Sequence, residues 1–291
     1  MDTAGRVMPR AADQLELDLA GPLCQRWRSR KDSYRDSRTD GFNQERYRVV
    51  CIGEAAAKAF VLTHHYAGSY PAARLRYGLI DRAGERLVGV AVLSVPVRAS
   101  VLTSVFPTLE PYRESLELGR FVLLDEVPAN AESWMLGRLF RLASEDGIAG
   151  LVAFSDPVPR YTSAGVLVKP GHVGTIYQAT NAAYLGRGTA RTLVVLPDGS
   201  VLNDRAISKV RGQERGHEHV ERRLIGYGAR PRSLGQAPGS WVARELEAIG
   251  ARQMRHPGNH RFGFVLRDRG KRSAPPFGLE QSAYPKLAEA A

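Results

Sequence analysis

Cysteine is nearly missing from this chain: two residues in 291, Cys24 and Cys51, far apart and without CxxC spacing. That excludes a thiolate zinc site and a disulfide framework, and it fits a reducing cytoplasm. Also absent is any glycine-rich P-loop or GxGxxG stretch, so nucleotide binding of the usual kinds is not supported. No apolar run reaches the length of a membrane span, and the N-terminus MDTAGRVMPRAADQLELDLAG lacks the apolar core of a signal peptide. The expectation is a soluble, intracellular protein with no membrane partner. Acidic residues are in deficit, 30 against 41 Lys and Arg, giving a formal net charge of +11. An excess of that size suggests a polyanionic partner, nucleic acid ahead of a membrane surface.

What is present is an α/β pattern. Residues 1–45 read as a basic, poorly ordered arm, with QRWRSRKDSYRDSRTD dense in arginine. YRVVCI reads as a strand and EAAAKAFVLT as an amphipathic helix ending at His64, His65 and Tyr66. RLRYGLID and RLVGVAVLSV read as a hairpin. The chain is organised around the stretch that follows, residues 115–184. LELGRFVLL is a strand, WMLGRLFRLA a helix opened by Pro128 with Asn130 as a cap-like residue, and LVAF a buried strand ending at Asp156 and Pro157. Strand, helix, strand of this length is a βαβ unit with two parallel strands. Beyond Tyr184, a hairpin turns at Pro197–Asp198–Gly199, and helices are expected at NDRAISKV, HEHVERRL and WVARELEAI before a final strand. The divisions expected are an arm at 1–45, a core at 46–195, an extension at 196–267 packing on the core with basic DNA-contacting loops, and a loose tail at 268–291.

Ligands of open α/β sheets lie outside the carboxyl ends of the strands. That directs attention to Asp156, and to the turn carrying Asn130 and Ser133, whose free helix-start amides attract phosphate. Tyr177, in GTIYQATN, returns toward the same strand ends. His64 and His65 are suited to proton transfer or metal binding, but adjacent histidines cannot both point one way, so one works while the other caps or packs. Arg120 sits in an apolar strand and needs a partner, either Glu117 or a ligand anion. Lys209, Arg211, Arg252, Arg255 and Arg261 are read as basic residues in loops that track a phosphate backbone. The HEHVE stretch at residues 217–221 reads as a solvated face and not as a metal site.

Four segments, THHYAGSYP, LELGRFVLLDEVPANAESW, AFSDP and GHVGTIYQATNAAYLG, in this order and spacing, resemble the Mom family of phage DNA-modification proteins. The resemblance covers residues 47–190 well and continues loosely through His260–Arg261–Phe262 and Tyr284–Pro285–Lys286. It implies a GNAT-like fold, a mixed central β-sheet flanked by helices, here with a C-terminal extension. It implies an enzyme that converts adenine in double-stranded DNA to N6-carbamoylmethyladenine, an anti-restriction modification, using acetyl-CoA and iron. It carries catalytic or metal-associated roles onto His65, Tyr66, Asp156 and Tyr177, and cofactor-pocket roles onto Arg120 and Ser133, with Asn130 beside them. It also implies a phage or prophage origin and work in the bacterial cytoplasm, with a homodimer left open. Three features depart from the family: the arm before residue 45 and the insert at residues 158–170 are longer than the pattern needs, and residues 125–130 hold no glycine where GNAT enzymes cradle pyrophosphate. Acetyl-CoA would then be held through a different contact set.

The N6 of a paired adenine is engaged in the duplex, so base flipping is expected, with Tyr66 or Tyr70 as a stacking ring. Its lone pair is conjugated with the ring, so a base, His65 or Asp156, or a metal is expected to activate it. Two other readings stay open: a GNAT-like acyltransferase acting on a small amine or protein, and a non-catalytic DNA-binding module.

Overall fold

The structure, a computed structural model, describes residues 23–36, 38, 41–266 and 274–286. It divides into two compact units, the first formed by Met1–Val152, Ala179–Ala182 and Phe264–Gly278, the second by Ala153–Gln178, Ala183–Gly263 and Leu279–Ala291. It is a mixed α/β protein with a large mixed sheet.

The first unit opens with a hairpin of β1 (Leu23–Arg28) and β2 (Lys31–Asp36), paired antiparallel from Leu23↔Asp36 to Arg28↔Lys31. This corrects the expected disorder of the arm; its first 22 residues lie outside the described residues. Then come β3 (Tyr47–Cys51), α1 (Glu54–His64), β4 (Ala73–Asp81), β5 (Arg86–Ser94), the short α2 (Ser100–Thr103), β6 (Ser115–Leu123), α3 (Ala131–Glu145) and β7 (Gly150–Ser155). Strands β3, β4, β5 and β6 pair antiparallel in sequence order, and β6 pairs parallel with β7 at Ser115↔Gly150, Leu116↔Leu151 and Glu117↔Val152. The expected βαβ unit is therefore present. Helix α3 forms because Met135, Leu136, Leu139 and Ala143 recur on one face, and all four are fully buried. Burying each large aliphatic chain contributes about 1.5–3 kcal/mol. Part of the expected loose tail is ordered here too: Phe277 packs 5.4 Å from Phe106, and the Gly278 amide donates to the Val105 carbonyl at 2.9 Å.

In the second unit, β8 (Arg160–Tyr161) and β9 (Leu167–Lys169) pair inside the 158–170 insert. After α4 (Thr175–Ala179), β10 (Ala183–Arg187) pairs with the last strand. β11 (Arg191–Val195) and β12 (Val201–Leu202) form the hairpin expected around Pro197–Gly199. Helices α5 (Asp204–Arg211), α6 (His217–Gly226) and α7 (Pro238–Ala248) enclose a core of Leu196, Leu202, Ile207, Val210, Leu224 and Trp241. The Asn203 side chain caps α5 by accepting the Ala206 amide at 2.7 Å. β13 (Arg252–His256) pairs with β11, and β14 (His260–Val265) with β10. Among the described residues no helix is long and apolar enough to cross a membrane.

Candidate functional site

The first unit holds His65, Tyr66, Arg120, Asn130 and Ser133. His65 is the residue at which α1 stops, and its backbone turns extended there. Its Nδ1 accepts the Ala67 amide at 3.1 Å and its carbonyl accepts the Gly68 amide at 3.1 Å. In the neutral ring the proton therefore sits on Nε2, which makes that atom a donor. The ring is buried, 6% exposed. It lies 4.3 Å from the Tyr66 ring, and Tyr66 in turn lies 5.0 Å from Trp27. His64 points elsewhere, as two adjacent histidines must: its Nδ1 accepts the Ser29 amide at 3.2 Å and its ring packs 4.7 Å from Phe60. Burial, then the nearby Arg28 charge, lowers the His64 pKa.

The β1–β2 hairpin is what holds this corner together. Its turn residues Ser29 and Arg30 both take positive φ, 51° and 65°, the pattern of a two-residue I′ turn without its usual Asn-Gly. The end of α1 holds that turn in place. The Arg30 amide donates to the His64 carbonyl at 3.1 Å, and its guanidinium donates to the Leu62 carbonyl at 3.0 and 3.1 Å. A cation on the last carbonyls also suits the negative end of the helix. On one side of β1, Trp27 (7% exposed) lies against Tyr66 and, at 6.5 Å, His65. On the other, fully buried Arg26 pairs with Glu132 and donates to the carbonyls of Val127 at 2.9 Å and Pro128 at 2.6 Å. Arg28 pairs with Asp125 and Glu126, and Arg35 donates to the Asp125 carbonyl at 2.6 Å. One hairpin thus clasps the His65–Tyr66 loop and the turn that starts α3.

Asn130 does not cap α3 through its side chain; it takes a left-handed φ of 68°, and the Ser133 hydroxyl donates to its carbonyl at 3.2 Å. The buried carboxylate of Glu132, paired with Arg26, already places a negative charge in the first helical turn. Residues 125–130 hold no glycine, so the turn lacks the glycine cradle common at phosphate-binding helix starts. Arg120 is held by hydrogen bonds to the backbone and to Ser69. It donates to the Ser69 carbonyl at 3.1 Å, the Ser69 hydroxyl at 2.9 Å and the Gly119 carbonyl at 2.5 Å, tying β6 to the loop after Tyr66. Burial raises the Glu117 carboxyl, with the Arg120 charge working the other way.

The second unit holds Asp156 and Tyr177. Asp156 is the hub of a buried polar cluster that was not visible in sequence. Its Oδ2 binds the Lys169 ammonium at 2.6 Å, and its Oδ1 accepts from His256 Nε2 at 2.9 Å and the Val158 amide at 3.0 Å. Lys169 and His256 are both fully buried. Lys169 also reaches the carbonyls of Asp156 at 3.1 Å and Val158 at 3.2 Å, and His256 Nδ1 accepts the Gly258 amide at 3.1 Å. Burial alone would raise the Asp156 carboxyl, but the Lys169 charge and these hydrogen bonds bring it down to about 2. Burial likewise draws the Lys169 ammonium down, against the pull of Asp156. His172, half-buried beside them, is lowered to about 4 by burial and then by the Lys169 charge. The loop closes only because residue 171 is glycine: a Cβ there would collide with the Pro157 carbonyl. Tyr177 is a buried ring, 7% exposed and 5.3 Å from Phe262. Nearby, the Tyr184 hydroxyl and His260 Nδ1 are hydrogen-bonded at 2.8 Å.

Within the second unit, the Asp156 carboxylate is engaged by protein groups. Both Asp156 oxygens are committed to Lys169 and His256, and the described residues contain no group of three His, Cys, Asp or Glu side chains able to hold a metal. The five basic residues assigned to loops stand instead on regular elements. Lys209 and Arg211 are in the last turn of α5, Arg252 and Arg255 on β13, and Arg261 on β14. Strand positions three apart face opposite ways, so Arg252 and Arg255 do not share a face. Arg252 donates to the Tyr161 carbonyl at 2.6 Å, and burial lowers the Arg261 guanidinium.

No curated protein matches the chain. Among solved structures, one assigned as a phosphinothricin N-acetyltransferase is similar over 76% of this chain and 99% of its own, at 9% identity and a TM-score of 0.33. A tandem GNAT protein from the clavulanic acid biosynthesis pathway, solved without acetyl-CoA, is similar over 70% of this chain and 65% of its own, at 11% identity and a TM-score of 0.33. The Mom protein family matches residues 46–286, a span that holds each candidate residue above and begins after the clasping hairpin. By that match over most of its length, the chain belongs to the Mom protein family.

Proposed function

We propose that this protein modifies adenine in double-stranded DNA, placing a carbamoylmethyl group on N6. The observation that carries this reading is the family match over residues 46–286, and the net charge of +11 suits a DNA substrate. Attachment from an activated carbamoylmethyl donor forms one N6–C bond, breaks the bond between that carbon and the donor's leaving group, which departs with the electron pair, and releases one N6 proton. The flipped base needs an aromatic partner, and Tyr66, half-exposed between Trp27 and His65, supplies a ring that its neighbours hold in place. His65, with Nδ1 occupied by an amide, acts as a donor from Nε2 or holds Tyr66, and it is not set up as a base there. Asp156, at about 2, is ionised at neutral pH and weakly basic. Such a carboxylate suits shaping the 156–172 loop, which it holds through Lys169, His256 and the Val158 amide.

The test is nucleoside mass spectrometry on DNA from a host expressing the protein, beside Tyr66→Ala and Asp156→Asn. The expected outcome is an adenine nucleoside carrying the carbamoylmethyl mass with the wild type, and its loss with both variants. An unmodified profile from well-folded wild-type protein overturns the reading.

A further inference from the structure

The first unit contains a basic groove, a cavity of about 840 Å³ lined by Arg48, Arg82, Arg138, Arg141, Trp134 and Glu45 among others. It lies between β3, the β4–β5 turn and the outer face of α3, away from His65 and Tyr66 in the sequence and on different elements. Arg138 and Arg141 are one helical turn apart, so their side chains emerge on one face, with roughly 5–6 Å between Cβ atoms. Arg138 is laid over the Trp134 ring at 5.1 Å, and the Trp134 indole is fixed by donating to Gln44 at 3.2 Å. Arg48 pairs with Glu85. Arg82, Arg138 and Arg141 are exposed and have no carboxylate partner among the described residues, and Glu45 is the only acid in the lining. Three uncompensated guanidiniums on rigid elements around one hollow make an anion site, and arginine is the side chain best matched to phosphate oxygens.

We propose that this groove binds the phosphodiester backbone of the duplex DNA being modified; the identity of the ligand rests on the DNA-modification reading above. Two features favour a backbone over a mononucleotide. The lining guanidiniums come from three elements, Arg48 from β3, Arg82 from the β4–β5 turn, and Arg138 and Arg141 from α3, and so line a stretch of surface. The Trp134 ring is already covered by Arg138 and has Phe42 tilted against it at 5.4 Å. The groove therefore contributes position and affinity without sequence readout.

Fluorescence anisotropy of an unmodified duplex, titrated with the full chain across a salt series, tests this. Arg82→Gln, Arg138→Gln and Arg141→Gln should each weaken binding and flatten the slope of log K against log salt by about 1. Glu45→Gln should tighten binding, an outcome that misfolding cannot imitate. Unchanged affinity and slope in the arginine variants, or ATP displacing the duplex at matched ionic strength far better than its charge accounts for, overturns the proposal. Nucleoside mass spectrometry separates the two readings. Wild-type protein that modifies adenine while groove variants bind normally removes the groove and leaves the activity; protein that neither holds DNA nor modifies it removes both.

Discussion

Trp27 is the residue on which the aromatic corner depends, because its ring lies 5.0 Å from Tyr66 and 6.5 Å from His65. We expect Trp27→Ala to lower modified-adenine yield per folded protein on the order of 10²-fold, since small displacements of positioned groups are that costly, and Trp27→Phe to restore much of it. Nucleoside yield beside near-ultraviolet circular dichroism checks this, and equal yields from both variants would refute it. Residue-level reading of the sequence succeeded where geometry is local. The split of roles between His64 and His65 follows from their adjacency, and the structure gives each Nδ1 a different amide. It failed where the partner is distant. Nothing in VLVKP reveals that Lys169 is buried, because the burial depends on Asp156, and nothing ties His256 to a carboxylate a hundred residues earlier.

At the scale of elements, the βαβ unit and the β4–β5 and β11–β12 hairpins were legible because apolar periodicity of 2 or 3.6 marks one buried face. The β1–β2 hairpin was not, for a physical reason. Neighbouring residues Arg26 and Trp27 are both buried, on opposite sides of β1, so no alternation survives, and the buried group on one side is a guanidinium. Arginine density then reads as solvated chain. The Arg26–Glu132 pair offers a test of the clasp. Removing one member leaves the other charge buried and unpaired, so Arg26→Ala should cost about 3–5 kcal/mol in urea unfolding, whereas Arg26→Met with Glu132→Leu should recover most of it. Equal stability of Arg26→Ala and wild type would show that the hairpin holds nothing.

For the whole molecule, the lowered groups of the second unit set the acid limb of stability. His172 takes up its proton at about 4 when folded against 6.5 ordinarily, so its contribution is complete above 6.5 and is lost as pH falls toward 4. At about 1.4 kcal/mol per pH unit, that is up to roughly 3 kcal/mol. Asp156 adds a second loss between 3.8 and about 2. Thermal melting should therefore weaken in two acid steps, and His172→Gln should remove the upper one while leaving the lower; a wild-type profile flat from pH 6.5 to 4 would contradict this.

The division into two units carries a consequence for synthesis. The first unit is completed by residues 264–278, which leave the ribosome after most of the second unit has been made. Domains usually fold in the order they emerge. Here Phe106 waits for Phe277, and the Val105 carbonyl for the Gly278 amide, until those later residues have been made. During translation the earlier unit stands open along that seam, and a stop codon even shortly before residue 264 would leave both units unfinished.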